Sequence, residues 1–306
     1  MRAVTYDAYA ADNSRLRVGE IPDPKLGPGE VLIEVRAAGV NPVDWKVMAG
    51  LLDGMMQTIF PVVPGWDVAG VVRAVGPDTP EFAPGDQVMA YARKSVVQAG
   101  TFAELVTMPA PGVARKPSAL DWNQAGGLPL AGMTAQRTLD RLEVGPGDVL
   151  LVHGAAGGVG GLGVQIARDR GARVIGTASE ANHGYLRELG AEPVTYGEGL
   201  AGRVHELAPD GVTAVADFAG GQLAATLAVL AEGGRHASIA DNTVERHGGH
   251  WIWVRPDGAK LAGLAALADR GALTVKVAQT FPLEQADAAF DVSRSGHGRG
   301  KLVITP

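Results

Sequence analysis

The 306-residue sequence contains no cysteine. This absence excludes disulfide bonds, and it excludes zinc or iron–sulfur sites built on thiolates. Acidic residues outnumber basic ones, 33 to 27, so the chain lacks the basic surface that binds nucleic acid or anionic membranes. No apolar run reaches the roughly 18 residues of a membrane span, and the first residues lack the apolar core of a signal peptide. We therefore expect a soluble, cytoplasmic protein with neither nucleic acid nor membrane as a partner.

The length and the pattern of apolar residues predict two domains, because 306 residues exceed what one hydrophobic core usually supports. Over residues 1–118, β-branched runs broken by glycine and proline predict an antiparallel, barrel-like unit with a short helix over 42–50. From residue 148 onward, strands alternate with helices, which predicts a parallel sheet with helices on both faces. The strand-like end of 272–306 needs a partner and is expected to return to the first domain, which leaves 119–271 as the second domain.

Three further segments carry specific expectations about secondary structure. Residues 100–109, with the sequence GTFAELVTMP, predict one strand. Helical spacing runs through 118–142 and again through 257–271. The second domain is therefore predicted to begin and to end with a helix.

A glycine-rich turn, GAAGGVG at 154–160, follows the apolar run 149–152 after one residue, His153. Its spacing is the dinucleotide fingerprint with alanine in place of the first glycine. A helix that begins there offers unpaired amide groups and positive partial charge to a pyrophosphate, and small residues allow the close approach. The alternative is a turn whose glycines only permit tight packing. The context of strand, turn and helix favours a cofactor site, whose residues would be Ala155, Ala156, Gly157, Gly158, Val159 and Gly160.

Eight motifs, in their order and spacing, carry a resemblance to one protein family. They are AGVNPVDWK (38–46), PGWDVAGVVRAVG (64–76), GDQVMA (85–90), GTFAEL (100–105), LPLAGMTAQ (128–136), VHGAAGGVG (152–160), RELGA (187–191) and GKLVI (300–304). The chain resembles the zinc-free quinone oxidoreductases of the medium-chain dehydrogenase/reductase family. The resemblance implies an α/β fold, in which a Rossmann doubly wound parallel sheet accompanies a GroES-like β-barrel catalytic domain.

The resemblance also allows the zinc-dependent branch of the family to be compared position by position. That branch has a ligand cysteine where this chain has Asn41, and a Ser or Thr for proton relay where this chain has Val43. It has the pair His-Glu where this chain has Trp66 and Asp67, and its last catalytic cysteine would fall near residues 127–128. None of the ligand positions holds the residue that the zinc branch has there, so we expect no catalytic metal. Without a Lewis acid an alcohol is hard to activate near neutral pH, so reduction of a quinone or an α,β-unsaturated carbonyl is the expected chemistry.

The resemblance places candidate catalytic residues in the first domain. Asn41 would lie beside the nicotinamide, where it could orient the ring or donate to the substrate. Lys46 could stabilise an enolate oxygen, although a solvated helix residue is an equal alternative. Asp44 is expected to tie a loop through backbone N–H groups. Tyr91 is a further candidate for the pocket, with core packing as its alternative.

Other residues are expected to contact the cofactor. Thr134 is a candidate by family analogy. A second group follows two predicted strands, and these residues would line the nicotinamide half of the cofactor site, because ligands bind at the carboxyl ends of parallel strands. The latter are Phe218, Ala219, Ser238 and Ile239.

The end of the second strand of this domain indicates which dinucleotide is used. NAD-specific domains place an acid there to bind the ribose hydroxyls, whereas this chain has Ala178 and then Ser179. Glu180 is the one argument for NAD. A 2′-phosphate would be bound by hydroxyl and cationic donors, and although no Arg or Lys directly follows the strand, we predict NADPH over NADH. The residues expected to bind the phosphate and the adjacent ribose are Ser179, Asn182, His183 and Tyr196.

The sequence thus predicts an NADPH-dependent reductase of a small electrophile, a quinone or an enone. An enoyl or alkenal reductase on the same scaffold and a non-catalytic NADPH-binding protein remain alternatives. His247 and His250, near Asp241, have metal-like spacing, but a surface loop is the favoured interpretation. The segment WIWV, 251–254, is a candidate interface strand, because this family commonly dimerises through the edge of its central sheet.

Overall fold

The structure, a computed structural model, describes residues 1–296 and 298–306. Strands are numbered along the chain. They are β1 (Arg2–Thr5), β2 (Arg17–Glu20), β3 (Glu30–Val40), β4 (Gln57–Val63), β5 (Asp67–Val75), β6 (Gln87–Tyr91), β7 (Val96–Ala99), β8 (Leu105–Pro109), β9 (Val113–Arg115), β10 (Val149–His153), β11 (Arg173–Ala178), β12 (Glu192–Thr195), β13 (Val212–Asp217), β14 (Leu230–Ser238), β15 (His250–Trp251), β16 (Val277–Pro282) and β17 (Lys301–Thr305).

The α-helices are numbered in the same way. They are α1 (Pro42–Met48), α2 (Trp122–Gly127), α3 (Pro129–Arg141), α4 (Gly160–Asp169), α5 (His183–Glu188), α6 (Leu200–Leu207), α7 (Leu223–Val229), α8 (Gly258–Asp269) and α9 (Ala286–Ser295).

Two compact units make up the fold: Met1–Leu130 with Arg255–Pro306, and Ala131–Val254. In the second unit, one parallel sheet has the strand order β12-β11-β10-β13-β14-β15. This is the order of a doubly wound dinucleotide-binding fold, and it reverses direction between β10 and β13. Buried aliphatic residues on β10, β11 and β13 pack against those of α6 and α7. The predicted alternation of strands and helices is confirmed.

The first unit is built mainly of antiparallel strands. Its largest sheet has the order β16-β17-β3-β5-β6-β9, and β8 also pairs with β3. The last strand, β17, runs antiparallel to β3, so the end of the chain returns to the first unit as expected. Gly29 and Gly85 have φ values of +70° and +96° and stand in the turns before β3 and β6. Such left-handed backbone is accessible to glycine without steric cost.

Two predicted elements differ from the observed ones. The strand expected over 100–109 is confined to β8, because the amide groups of residues 100–102 bond instead to carbonyl groups of residues 63–65. The helix expected over 118–142 is divided into α2 and α3. Pro129 begins α3, a position where its missing N–H group costs nothing.

The two units divide at 130/131 and 254/255, whereas the sequence suggested divisions at 118/119 and 271/272. The divisions differ because α2 contacts β3 and β5 and α8 contacts β9. Both helices therefore belong to the first unit, although the sequence placed them in the second. A Cβ atom at Gly258, the first residue of α8, would lie 2.4 Å from the carbonyl oxygen of Val113. Across the described residues, no helix combines the length and the apolarity needed to span a membrane.

Candidate active site

The glycine-rich turn joins β10 to α4, as the fingerprint requires. Gly154 has a φ of +68°, and a Cβ atom at Gly160 would lie 2.2 Å from the carbonyl oxygen of Gly154. A side chain at either position would therefore distort the turn. Gly157, Gly158 and Val159 are only half-buried, so solvent reaches the backbone before the first turn of the helix. The predicted residues thus form one turn at the amino end of a helix.

The turn is attached to the neighbouring strand. Gly154 donates its N–H to Oγ1 of Thr177 over 3.1 Å, and Ala155 donates to the Thr177 carbonyl oxygen over 3.1 Å. A Cβ atom at Gly176 would lie 2.8 Å from the methyl group of Ala155. Alanine at the first fingerprint position therefore packs on a glycine of β11. Both Ala155 and Gly176 must therefore be small for this contact to form.

The predicted phosphate residues assemble at the carboxyl end of β11. Nδ2 of Asn182 donates to Oγ of Ser179 over 3.1 Å, and both residues are half-buried, as is His183. The parallel register pairs Ala178 with Thr195, so Tyr196 leaves β12 at the same level and is 56% exposed. The structure thus brings the predicted residues to one edge of the sheet.

The guanidinium of Arg203 lies at the same edge of the sheet. Arg203, on α6, donates from Nε and Nη2 to the carbonyl oxygen of Thr195, over 3.0 and 2.9 Å. Its guanidinium therefore lies at the end of β12, immediately before Tyr196. No sequence motif signalled this position, because Arg203 comes from a helix that returns to the strand end.

The predicted residues of the nicotinamide half lie at the ends of β13 and β14: Phe218 and Ala219 follow β13, Ser238 is the last residue of β14, and Ile239 follows it. Phe218 donates its N–H to the carbonyl oxygen of His153 over 3.2 Å, and Ile239 donates to that of Asp217 over 3.2 Å. A Cβ atom at Gly154 would lie 3.4 Å from the Cβ atom of Ala219, so this loop adjoins the glycine-rich turn. Ser238 is buried, and Thr134 on α3 is 7% exposed.

In the first unit, Asn41 belongs to a buried network of polar side chains. Its Nδ2 donates to Oδ2 of Asp67 over 2.9 Å, and its Oδ1 accepts a hydrogen bond from Nζ of Lys301. Lys301 also donates to the carbonyl oxygen of Val40 over 3.0 Å. Asn41, Asp67 and Lys301 are each at most 5% exposed. Sequence reasoning missed Lys301, although the motif GKLVI contains it, because its partners lie about 260 positions away.

The charges in this network strongly affect one another. Burial raises the pKa of Asp67 to about 6, against the opposing effects of Lys301 and Asn41. Burial also raises the pKa of Asp44 to about 8, and burial lowers the pKa of the Lys301 ammonium. Oδ2 of Asp44 accepts the N–H of Asn41 over 2.8 Å at the start of α1, so the expected structural role of Asp44 is confirmed. The network therefore ties the first turn of α1 to β5 and β17.

Lys46 and Tyr91 are not brought into contact with the Asn41 carboxamide in the described part of the chain. The Lys46 ammonium lies 5.6 Å from the centroid of the neighbouring Trp45 ring. Tyr91 is 1% exposed, its ring packs edge-on against Trp66, and burial raises its pKa. Tyr91 is therefore a core residue that supports Trp66, and its catalytic role remains a prediction.

The histidine segment after β14 forms a short 3₁₀ helix, with Asp241 as its N-cap, and then β15. His247 and His250 both lower the pKa of the nearby His236, although burial contributes most to that shift. Across residues 1–296 and 298–306, no group of three or more His, Cys, Asp or Glu side chains is placed to hold a metal ion. His247 is exposed, and the absence of a metal site in this segment stays a prediction.

Comparison with known proteins identifies relatives along the whole chain. Residues 27–118 match the family described as alcohol dehydrogenase GroES-like domain, and residues 189–304 match the one described as zinc-binding dehydrogenase. A chloroplastic NADPH-dependent alkenal/one oxidoreductase of Arabidopsis thaliana is 32% identical, over 100% of this chain and 80% of its own length. The quinone oxidoreductase structure from Coxiella burnetii is 30% identical with a TM-score of 0.88, covering 100% of this chain and 99% of its own. A mycobacterial protein complexed with NADPH is 30% identical with a TM-score of 0.87, covering both chains completely.

The second matched family implies zinc, and the residues of this chain do not fit it. The Asn41 carboxamide is engaged by Lys301 and Asp67. The Asp67 carboxylate accepts hydrogen bonds from Asn41 and from the N–H of Leu130. Trp66 and Leu128 offer no metal-binding atom. Leu128 is fully buried. The positions that hold the catalytic metal in the zinc branch are therefore occupied here by an internal hydrogen-bond network and apolar side chains.

Proposed function

This chain belongs to the medium-chain dehydrogenase/reductase family, and we propose that it is a quinone oxidoreductase-like reductase that uses NADPH to reduce a quinone or an α,β-unsaturated carbonyl without zinc. Its relatives include an NADPH-dependent alkenal/one oxidoreductase, a quinone oxidoreductase and a protein complexed with NADPH. The observation that carries the proposal is the glycine-rich turn between β10 and α4, at the point where the strand order of a doubly wound sheet reverses.

The second unit would hold the dinucleotide. Backbone amides of the turn at the amino end of α4 suit a pyrophosphate, since a helix start carries unpaired N–H groups and positive partial charge. Ser179 and Asn182 form a polar pair where a 2′-phosphate would lie, and Arg203 adds a cation at the neighbouring strand end. NADPH, when bound, supplies hydride; the protein supplies position and electrostatics.

The first unit would supply groups that act on the acceptor. Negative charge develops on the acceptor oxygen, and hydrogen-bond donors or a cation stabilise it. Lys46 carries an ammonium on a flexible stem, which can reach beyond its present contact with Trp45. Asn41 has its amide donors directed at Asp67 and at the carbonyl oxygen of Gly39, which favours a positioning role for this residue over that of a donor to the acceptor.

An enoyl or alkenal reductase, which would take 2-alkenals and not quinones, is the second candidate, supported by the alkenal/one oxidoreductase among the relatives. Turnover with NADPH separates the candidates when 1,4-benzoquinone and a series of 2-alkenals are compared by kcat/KM. We expect oxidation of NADPH by at least one of the two classes. Binding of NADPH without turnover of either class would instead favour the non-catalytic alternative.

A further inference from the structure

Three neighbouring strands of the second unit end in a row of polar residues. His153 ends β10, Asp217 ends β13 and Ser238 ends β14, and the parallel register places each beside the next. All three are at most 4% exposed. A buried carboxylate is costly unless hydrogen bonds compensate it, so the partners of Asp217 indicate its purpose.

Asp217 holds the turn that follows its own strand. Its Oδ1 accepts the N–H groups of Ala219 and Gly220, each over 2.9 Å. Gly220 has a φ of +86°, so the turn is one that glycine favours. The second carboxylate oxygen, Oδ2, accepts the hydroxyl proton of Ser238 over 2.9 Å.

Ser238 extends this arrangement to the loop after the next strand. Its Oγ accepts the N–H groups of Ala240 and Asp241, over 3.2 and 3.1 Å. A serine hydroxyl has one proton, and here Asp217 receives it, so the oxygen is left as an acceptor for the two amides. One carboxylate therefore sets the conformation of two loops.

His153 does not complete a nucleophilic triad with these residues. Its Nε2 lies 3.2 Å from Oγ1 of Thr226. Burial lowers the pKa of His153, against the opposing effect of Asp217. The serine hydroxyl is buried and donates to the carboxylate rather than to the imidazole. The row therefore fits structural control of the loops and not acyl transfer.

The loop after β13 lies where a ligand is expected. It adjoins the glycine-rich turn, since a Cβ atom at Gly154 would lie 3.4 Å from that of Ala219. The strand order reverses between β10 and β13, and ligands of doubly wound sheets bind in the crevice at that point. We propose that Asp217 and Ser238 are positioning residues for the nicotinamide end of the cofactor, acting through the backbone of residues 218–220 and 239–241. This rests on the proposed function in that a dinucleotide binds at the glycine-rich turn.

Asp217→Asn and Ser238→Ala test the proposal. The asparagine keeps the size of the side chain and can still accept from Ala219 and Gly220, but its amide donates toward Oγ of Ser238, whose proton then lacks an acceptor. Ser238→Ala removes the acceptor for Ala240 and Asp241. A double variant combines Asp217→Asn with Ser238→Ala. Its asparagine no longer faces a hydroxyl, so the double variant should lose no more affinity for the dinucleotide than Ser238→Ala alone.

The measurement compares dissociation constants for NADPH and for 2′-phospho-ADP-ribose, which lacks the nicotinamide, by calorimetry. NADH with ADP-ribose serves as a parallel pair. Each single variant should weaken dinucleotide binding about tenfold, the loss expected for one charge-assisted hydrogen bond, and change binding of the truncated ligand by less than about twofold. A selective loss of this kind is not expected from general destabilisation.

Asp148→Asn is the matched control, because Asp148 accepts from Gly145 and from Oγ1 of Thr213 over 2.9 and 2.7 Å at the opposite end of the same sheet. It should lower the Tm and leave both dissociation constants unchanged. Equal weakening of both ligands by Asp217→Asn, or no weakening, would overturn the proposal and leave the proposed function intact. Binding of neither dinucleotide by the wild type would overturn both.

Discussion

Asn41 directs both polar groups of its carboxamide into the protein, toward Asp67 and Lys301. Asn41→Ala would leave a buried carboxylate and a buried ammonium without these partners. We expect its free energy of unfolding to fall by on the order of 2 kcal/mol, and kcat/KM to fall as well. Lys46→Ala, on a half-buried helix position, should cost no more than about 0.5 kcal/mol while lowering kcat/KM by up to about 100-fold.

Denaturant unfolding and steady-state kinetics of the two variants measure these effects. Affinity for NADPH should stay within a few-fold of that of the wild type in Lys46→Ala. Unchanged kinetics for both variants would mean that other groups, or water, stabilise and protonate the acceptor oxygen.

Ser179 is the residue at which cofactor preference can be tested. It pairs with Asn182 at the end of β11, and Ser179→Asp would place a negative charge where a 2′-phosphate is predicted to bind. We expect the ratio of kcat/KM for NADPH to that for NADH to fall by more than about tenfold. Ser179→Asn introduces an uncharged side chain of about the same size as aspartate, and it should change this ratio much less. A wild type that prefers NADH, with a ratio unmoved by Ser179→Asp, would contradict the assignment.

Asp44 gives the protein a pH dependence of known sign. Burial raises its pKa to about 8, so the folded state holds the proton more tightly than the unfolded chain does. The stability contributed by this group therefore falls as the pH rises from the ordinary carboxyl range through about 8. Between about pH 5 and pH 9, the wild type should lose at least about 1 kcal/mol of unfolding free energy relative to Asp44→Asn.

Urea unfolding of both proteins across this range measures the difference. Asp67 and Lys301, which face Asp44 in the network, are present in both proteins, so their own titration largely cancels in the comparison. Parallel stability curves for the wild type and Asp44→Asn would show that Asp44 is ionised in both the folded and unfolded states.

At the scale of elements, β15 is the end strand of the sheet in the second unit, as far as the described residues show. Ile252 donates its N–H to the carbonyl oxygen of Ser238, and the rings of Trp251 and Trp253 pack edge-on with their centroids 5.6 Å apart. An edge strand with apolar side chains is a surface on which a second copy can pair. We therefore keep the prediction of a homodimer through residues 251–254.

Light scattering should give the mass of a dimer for the wild type and a shift toward monomer for Trp251→Lys, because a charge on an edge strand opposes pairing. Trp122→Lys, a similar loss of half-buried apolar surface in the other unit, should leave the mass unchanged. A wild type that is monomeric at micromolar concentration would refute the predicted interface.

At the scale of the whole molecule, we predict that activity requires no metal. The ligand positions of the zinc branch do not make a zinc site here, because they hold Asn41, Trp66, Asp67 and, near the last position, Gly127 and Leu128. The purified protein should retain its full reductase activity after dialysis against a chelator, and elemental analysis should find well under one zinc ion per chain. Zinc at one equivalent, with activity that is lost and restored together with it, would contradict this prediction.

The sequence by itself determined the architecture of the second unit and the place of its candidate cofactor site. Periodicity, glycine spacing and the alternation of strands and helices are local, and parallel strands joined by helices permit few topologies. The return of β17 to the first unit also followed, because an isolated strand needs a partner.

Only the tertiary structure decided which side chains meet. Lys301 contacts Asn41 from the far end of the chain, and Asp217 and Ser238 are 21 positions apart in sequence but adjacent across two strands. The same holds for α8, whose helical spacing is visible in the sequence but which is assigned to the first unit by its contact with β9. Hydrogen bonds and packing between distant segments depend on strand order and register, which residue patterns within one segment do not encode.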